Sequence, residues 1–157
     1  MEPLRYIDLV SSVTSELPPL PIADLGPPVL HKLRKPVNES RVIIVTSAGV
    51  RLRGEPPFSP VNDLSFRRIG ANTRSDQLAP SHPTPVRRPG EEDINVIFPH
   101  ERLKELADEG LIGGVTPYHL SFLGTIKKLT DLVTGLALDM VQAAREAGAD
   151  AALLVPL

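Results

Sequence analysis

Residues 41–54, RVIIVTSAGVRLRG, hold an uninterrupted apolar run that empties into a small polar turn containing glycine. Val42, Ile43, Ile44 and Val45 are β-branched without a break. Continuity of this kind, in place of polar alternation, suits a strand covered on both faces, as in a parallel α/β sheet. Thr46, Ser47, Ala48 and Gly49 follow at its carboxyl end, and in open α/β sheets ligands bind in the crevice outside the carboxyl ends of strands. This turn is the first candidate for a site wall. Fold position alone names no ligand.

With 157 residues, 41% of them hydrophobic, the chain is long enough for one domain with a real core and too short to expect two. A formal charge of -2 and a pI near 6.1 give no basic field for a nucleic-acid backbone. No apolar run reaches the length needed to cross a bilayer, and the opening MEPLRYIDLV lacks the pattern of a secretory signal. Nucleic acid and membrane are therefore not expected partners, and the cytoplasm is the expected compartment. Cysteine is absent, which removes disulfides, thiolate nucleophiles and cysteine metal sites from these residues. No metal site is expected.

Seventeen prolines crowd into 18–36 and 56–89, which should be ordered loops or extended connections. The chain divides into an N-terminal helix and proline-rich connection, 1–38, and an α/β domain, 39–157. In the first part, Ile7, Leu9, Val10 and Val13 have partly helical spacing, Leu30 and Leu33 are expected to tack onto the sheet, and His31, Lys32, Arg34 and Lys35 read as a solvated basic face. In the second, residues 65–70 predict a strand, 71–93 nothing periodic, and PHERLKELADEG a helix with Leu103, Leu106 and Ala107 inward, His100 exposed at its start and Gly110 as its stop. LIGGV at 111–115 predicts a short strand or a close backbone approach, and TPYHLSFLG a loop. The stripe Leu129, Leu132, Val133, Leu136, Ala137, Met140, Val141 and Ala144 predicts a helix closed by Gly148, and residues 151–155 an apolar strand lying parallel beside the first. The predicted fold is an open, mostly parallel α/β sheet with flanking helices and long proline-rich loops.

Individually, the polar residues name no chemistry. His82 and His119 offer a general acid, an anion contact or a metal ligand, set against the plainer role of a hydrogen-bonded or surface histidine. Arg67 and Arg68 are neighbours in a predicted strand, so they point to opposite faces, and one can hold a carboxylate in bidentate fashion. Thr46 and Ser47 offer hydroxyls to an anion or to local strand-end hydrogen bonds. Gly113 and Gly114 lack the spacing and the lysine of a phosphate loop, and neither Ser47 nor Ser121 stands in a glycine-flanked nucleophile turn.

The blocks ESRVIIVTSAGVRLRGEPPF, DLSFRRIG, SHP, DINVIFPHERLKELADEGLIGG, SFLG and GADAALLVPL come in an order and spacing that resembles the selenoprotein B subunits of glycine, sarcosine and betaine reductases. The small subunits of D-proline reductase are the most similar. The resemblance covers 39–157, and the run 93–114 is its most specific part. It implies an oxidoreductase subunit that reductively cleaves a carbon–nitrogen bond in D-proline, glycine, sarcosine or betaine, with a dithiol as electron donor. It further implies a partner subunit whose pyruvoyl group holds the substrate amine.

In that family a strand like ADAALLVPL is followed at once by selenocysteine or cysteine, two residues and a cysteine. A catalytic residue is thus expected immediately after Leu157 and none within the chain, which by itself should be inactive. Thr46, Ser47, Ala48, Gly49, Arg67, Arg68, His82 and His119 are the substrate-binding candidates. Two explanations of the ending stay open: a UGA selenocysteine codon read as stop, which the apolar Leu157 favours and which leaves the C-terminal part missing, or a short paralogue without the redox half. The alternative function is a non-catalytic α/β module that binds a partner or a small carboxylate. Thr46, Ser47, Ala48 and Gly49 are expected to meet Pro156 and Leu157 as one rim, with His82, His119 and one arginine turned toward it. An uncovered apolar patch at Leu153, Leu154 and Val155 is expected to favour self-association.

Overall fold

A computed structural model describes residues 31–83 and 87–157, and residues from Leu33 onward form one unit. The expected helix near the N-terminus and Leu30 lie outside the described residues. Strand β1, Arg41–Thr46, is the centre of a mixed, mostly parallel sheet, with Ile43 and Ile44 fully buried. Along one side it pairs in parallel with β7, Ala151–Val155, in the register Val42↔Ala151 to Thr46↔Val155. Along the other it pairs in parallel first with β5, Gly114–Val115, and then with β6, Tyr118–Phe122. Strand β3, Phe66–Gly70, closes that edge antiparallel to β6. Strands β2, Arg51–Leu52, and β4, Leu78–Ala79, make a separate antiparallel ribbon.

Alternate residues of β1 enter two cores, which is why its apolar run has no polar break. Val42 and Ile44 pack with Ile69, Ile97, Phe98 and Leu103 on the side of α2, His100–Asp108. Ile43 packs with Leu120, Leu136, Met140 and Ala143 on the side of α3, Ala137–Glu146. A third helix, α1, is the short Arg88–Glu92. Close approach explains a glycine in LIGGV: a Cβ on Gly113 would stand 2.2 Å from the backbone carbon of Glu39.

The structure corrects several expectations. TPYHLSFLG is not a loop, because its centre is β6, paired on both sides and with His119, Leu120 and Ser121 buried. Proline and glycine at its ends and two buried polar residues disguise it as a connection. His100 is buried, not exposed: its ring nitrogens lie 3.1 Å from the carbonyl oxygens of Phe98 and Thr73, and its ring stacks on Phe98. Leu33 and Leu106 are exposed. The last helix begins with the α-turn Leu129–Asp131 and passes through a π-helical turn, Leu132–Leu136, before α3. The wider turn shifts the phase of the stripe, so Leu136 and Met140 are buried while Leu129, Val133 and Val141 face out. Residues 71–93, aperiodic in sequence, contain the 3-10 turn Ser75–Gln77 as well as β4 and α1.

Candidate functional site

The carboxyl ends of β1, β6 and β7 meet at one rim, and Ser47 ties them together. Its N–H donates to the Val155 carbonyl at 3.2 Å, and its carbonyl accepts from the Gly124 N–H at 2.9 Å. Its Oγ accepts from the Leu157 N–H at 2.9 Å and reaches the Leu157 carbonyl at 3.5 Å. The turn and the Pro156–Leu157 segment thus share one edge, as the side-by-side placement of the two apolar strands predicts. Thr46 Oγ1 is committed locally, donating to the Ile97 carbonyl at 2.8 Å and accepting from the Ala48 N–H at 3.2 Å. Ala48 bridges Leu123. Gly49 has φ +64, a left-handed conformation that disfavours any side chain, and a Cβ there would lie 2.8 Å from Leu123 Cδ1.

Residues in register share a face of the sheet, so Arg67, Ser121, Thr46 and Val155 form one row across four strands on the α2 side. Arg67 is the arginine of the pair that faces this row. Its guanidinium lies 4.5 Å from the Phe58 ring centroid, Nη1 donates to Ser65 Oγ at 3.0 Å, and Nε stands 4.0 Å from Glu55. Arg68 points to the opposite face, near the Phe66 and Tyr118 rings, and its ion pair with Glu146 is 3.7 Å long and half-exposed. A surface pair of that kind contributes little.

The two histidine candidates have different settings. His82 is buried and follows Ser81, whose N–H donates to the Gly49 carbonyl at 2.9 Å, so the chain carries it close to the turn. Burial, with the nearby Arg87 charge, lowers its pKa below the ordinary histidine value. His119 sits deeper in the sheet, opposite Ile69, with its ring edge-on to Phe98. Between the two pairings of β1 on this side, the β5–β6 strand advances from Val115 to Leu120 while β1 advances only from Val42 to Val45. The extra length around Thr116 and Pro117 takes the strand out of the ladder, and the Ile44 N–H donates instead to His119 Nδ1 at 3.2 Å. Burial, with a smaller effect from His100, lowers the His119 pKa to about 4, so the ring is neutral and carries its proton on Nε2. His119 therefore serves the sheet and not the rim.

Ser121 is the rim residue that sequence reasoning passes over, having weighed it only as a nucleophile. The signal for it was the alternation His119, Leu120, Ser121, which in a strand puts both polar residues on one face. A separate cavity of about 500 Å3 lies among β4, α1 and the 3-10 turns, lined by Arg53, Asp76, Glu91, Glu92, Asp93 and Glu101 among others. Several of its carboxylates serve local structure: Glu101 accepts from Ser75 Oγ and Asn95 Nδ2, and Asp93 caps the turn that begins at Ile94. Among the described residues no cluster of histidine, aspartate and glutamate is placed to hold a metal, and no helix is long and apolar enough to cross a membrane.

No protein-family model matches the chain, and no solved structure matches it. It is 29% identical over 128 residues to D-proline reductase subunit gamma of Acetoanaerobium sticklandii, an alignment covering 82% of this chain. That alignment spans 53% of the relative, so the chain corresponds to about half of it. The family resemblance carried by the ordered blocks of sequence is thus matched along most of the chain by similarity to a D-proline reductase γ subunit.

Proposed function

We propose that the chain is part of an amino-acid reductase subunit, contributing the sheet and the substrate-side rim of a site for reductive cleavage of a carbon–nitrogen bond. The observation that carries this reading is the similarity to the D-proline reductase γ subunit across 82% of the chain. The rim at the carboxyl ends of β1, β6 and β7 supports it, because that is where α/β sheets bind ligands. With D-proline as substrate, two electrons and two protons open the ring between nitrogen and the α-carbon, giving 5-aminovalerate, while a dithiol is oxidised to a disulfide. These 157 residues contain no cysteine, so on this reading the redox-active selenol or thiol belongs to polypeptide outside them. By the family resemblance, a pyruvoyl-bearing partner subunit holds the substrate amine. Thr46, Ser47, Ala48, Gly49, Arg67 and His82 form the wall against which the substrate is held.

The test is isolation of the native protein with its partner from its own cells, followed by assay with dithiothreitol and D-proline, glycine, sarcosine or betaine. Reduced product and selenium in the protein by mass spectrometry are the expected results. A complex that reduces none of the four refutes the reading. The second reading is a non-catalytic module that binds a small carboxylate or a partner, and binding without turnover selects it.

A further inference from the structure

We propose that Arg67 and Ser121 together form a carboxylate-binding site on the β3–β6 pair, taking the carboxylate of a small amino-acid ligand. The identity of that ligand rests on the reductase reading; the site itself rests on geometry. Ser121 Oγ is buried and makes no hydrogen bond, the one such side-chain atom found among the described residues. A buried polar atom without a partner is costly and marks a missing ligand, a bound water or strain. Directly opposite in the antiparallel ladder stands Arg67, and side chains so paired lie on one face with Cβ atoms about 4.5–5.5 Å apart.

Arg67 is anchored on the same face. Phe58 supports its guanidinium plane and Ser65 fixes Nη1. Its nearest carboxylate, Glu55, stands 4.0 Å from Nε, beyond hydrogen-bond length, so no bidentate pair closes the guanidinium fork. Two parallel N–H donors from the guanidinium and one O–H from Ser121 match the acceptor set of a single planar carboxylate. Arg68, on the opposite face against Tyr118 and Glu146, cannot serve the same ligand. Ser121 has no solvent exposure, so a ligand that reaches it has to displace the Arg67 guanidinium from its place beside Glu55 and open the row beside Thr46.

Nuclear magnetic resonance titration of the 157-residue chain tests this, with D-proline and acetate against pyrrolidine, which keeps the ring and lacks the carboxylate. The expected result is movement of the Arg67 Nε–H and Ser121 amide signals with D-proline and acetate and none with pyrrolidine. Ser121→Ala should weaken binding about tenfold or more, Arg67→Met should abolish it, and Glu55→Gln should tighten it. Because Ser121→Ala removes an unpaired hydroxyl, its Tm should be unchanged or higher. Carboxylate-independent shifts, unaltered affinity in Ser121→Ala, or a lowered Tm for that variant, which would reveal a structural partner for the hydroxyl, each overturn the proposal. An active reductase whose KM for D-proline is unchanged by Ser121→Ala removes the site and leaves the reductase reading. A chain that binds D-proline through these residues inside a complex that reduces nothing does the reverse.

Discussion

Replacing His119 by asparagine keeps a hydrogen-bond acceptor where Nδ1 stands, since Oδ1 of asparagine superimposes on it, but removes the titrating ring. The native pKa of about 4 is set by burial first and by the His100 charge second. In the unfolded chain the imidazole takes its ordinary value of about 6.5. Above that pH both states are neutral and the group has no effect on stability. As pH falls below it, the unfolded chain gains a proton that the folded chain refuses, so stability declines until the folded pKa is reached. Linkage over this interval amounts to about 2 kcal/mol by pH 5 and about 3 kcal/mol by pH 4. Urea denaturation followed by circular dichroism from pH 7.5 to 4 should therefore show the wild type losing that much more stability than His119→Asn. His82, also depressed by burial, and carboxylates such as Asp150, depressed first by the Arg41 N–H, remain in both proteins and cancel in the comparison. His119→Leu should share the flattened pH profile and also lose about 1–3 kcal/mol at pH 7.5, because the Ile44 N–H is left without an acceptor in the central strand. Parallel stability curves for wild type and His119→Asn would refute the argument, since the neutral buried ring would then have no energetic consequence.

Gly113→Ala should destabilise by more than about 2 kcal/mol in thermal melts, because the new methyl meets the Glu39 backbone and not a side chain that can yield. Ser47→Ala should speed hydrogen exchange at the Leu157 amide, measured by mass spectrometry, with less than about 1.5 kcal/mol lost, as expected for one partly buried hydrogen bond. The expected patch at Leu153, Leu154 and Val155 is uncovered only in part, because Val155 packs against the core. Leu154, 69% exposed, and Leu153, 40% exposed, lie on the two faces of the edge strand β7, and that edge should make the chain self-associate at high concentration. Leu154→Lys should reduce that association in sedimentation equilibrium, and a wild type that stays monomeric at every concentration would remove the expectation.

How much of this was legible in the sequence depends on whether a residue's surroundings repeat a local pattern or depend on a distant one. Strand β1 is readable because burial on both faces makes it apolar along its length, and β7 because an apolar run follows directly on a helix, which suits a strand parallel to the first. Strand β6 is not, because what makes it a strand is pairing with β1 on one side and β3 on the other, and neither leaves a mark on TPYHLSFLG itself. The choice between Arg67 and Arg68 turned on the same missing strand: only its register with β6 places Arg67 opposite Ser121 and sends Arg68 toward Glu146. In the sequence His119 offers chemistry because it stands in what reads as a loop. Its role follows from the two pairings of β1 that leave the Ile44 N–H without a backbone partner on that side. A strand that carries buried His119 and Ser121 on one face gives up apolar burial that Val or Ile would supply at about 1.5–3 kcal/mol each. For His119 the hydrogen bond to Ile44 offsets that loss, whereas Ser121 has no such compensation within the described protein. The uncompensated residue is the one beside the arginine, at the carboxyl ends of the parallel strands, and that coincidence makes this end of the sheet the place to look for a ligand.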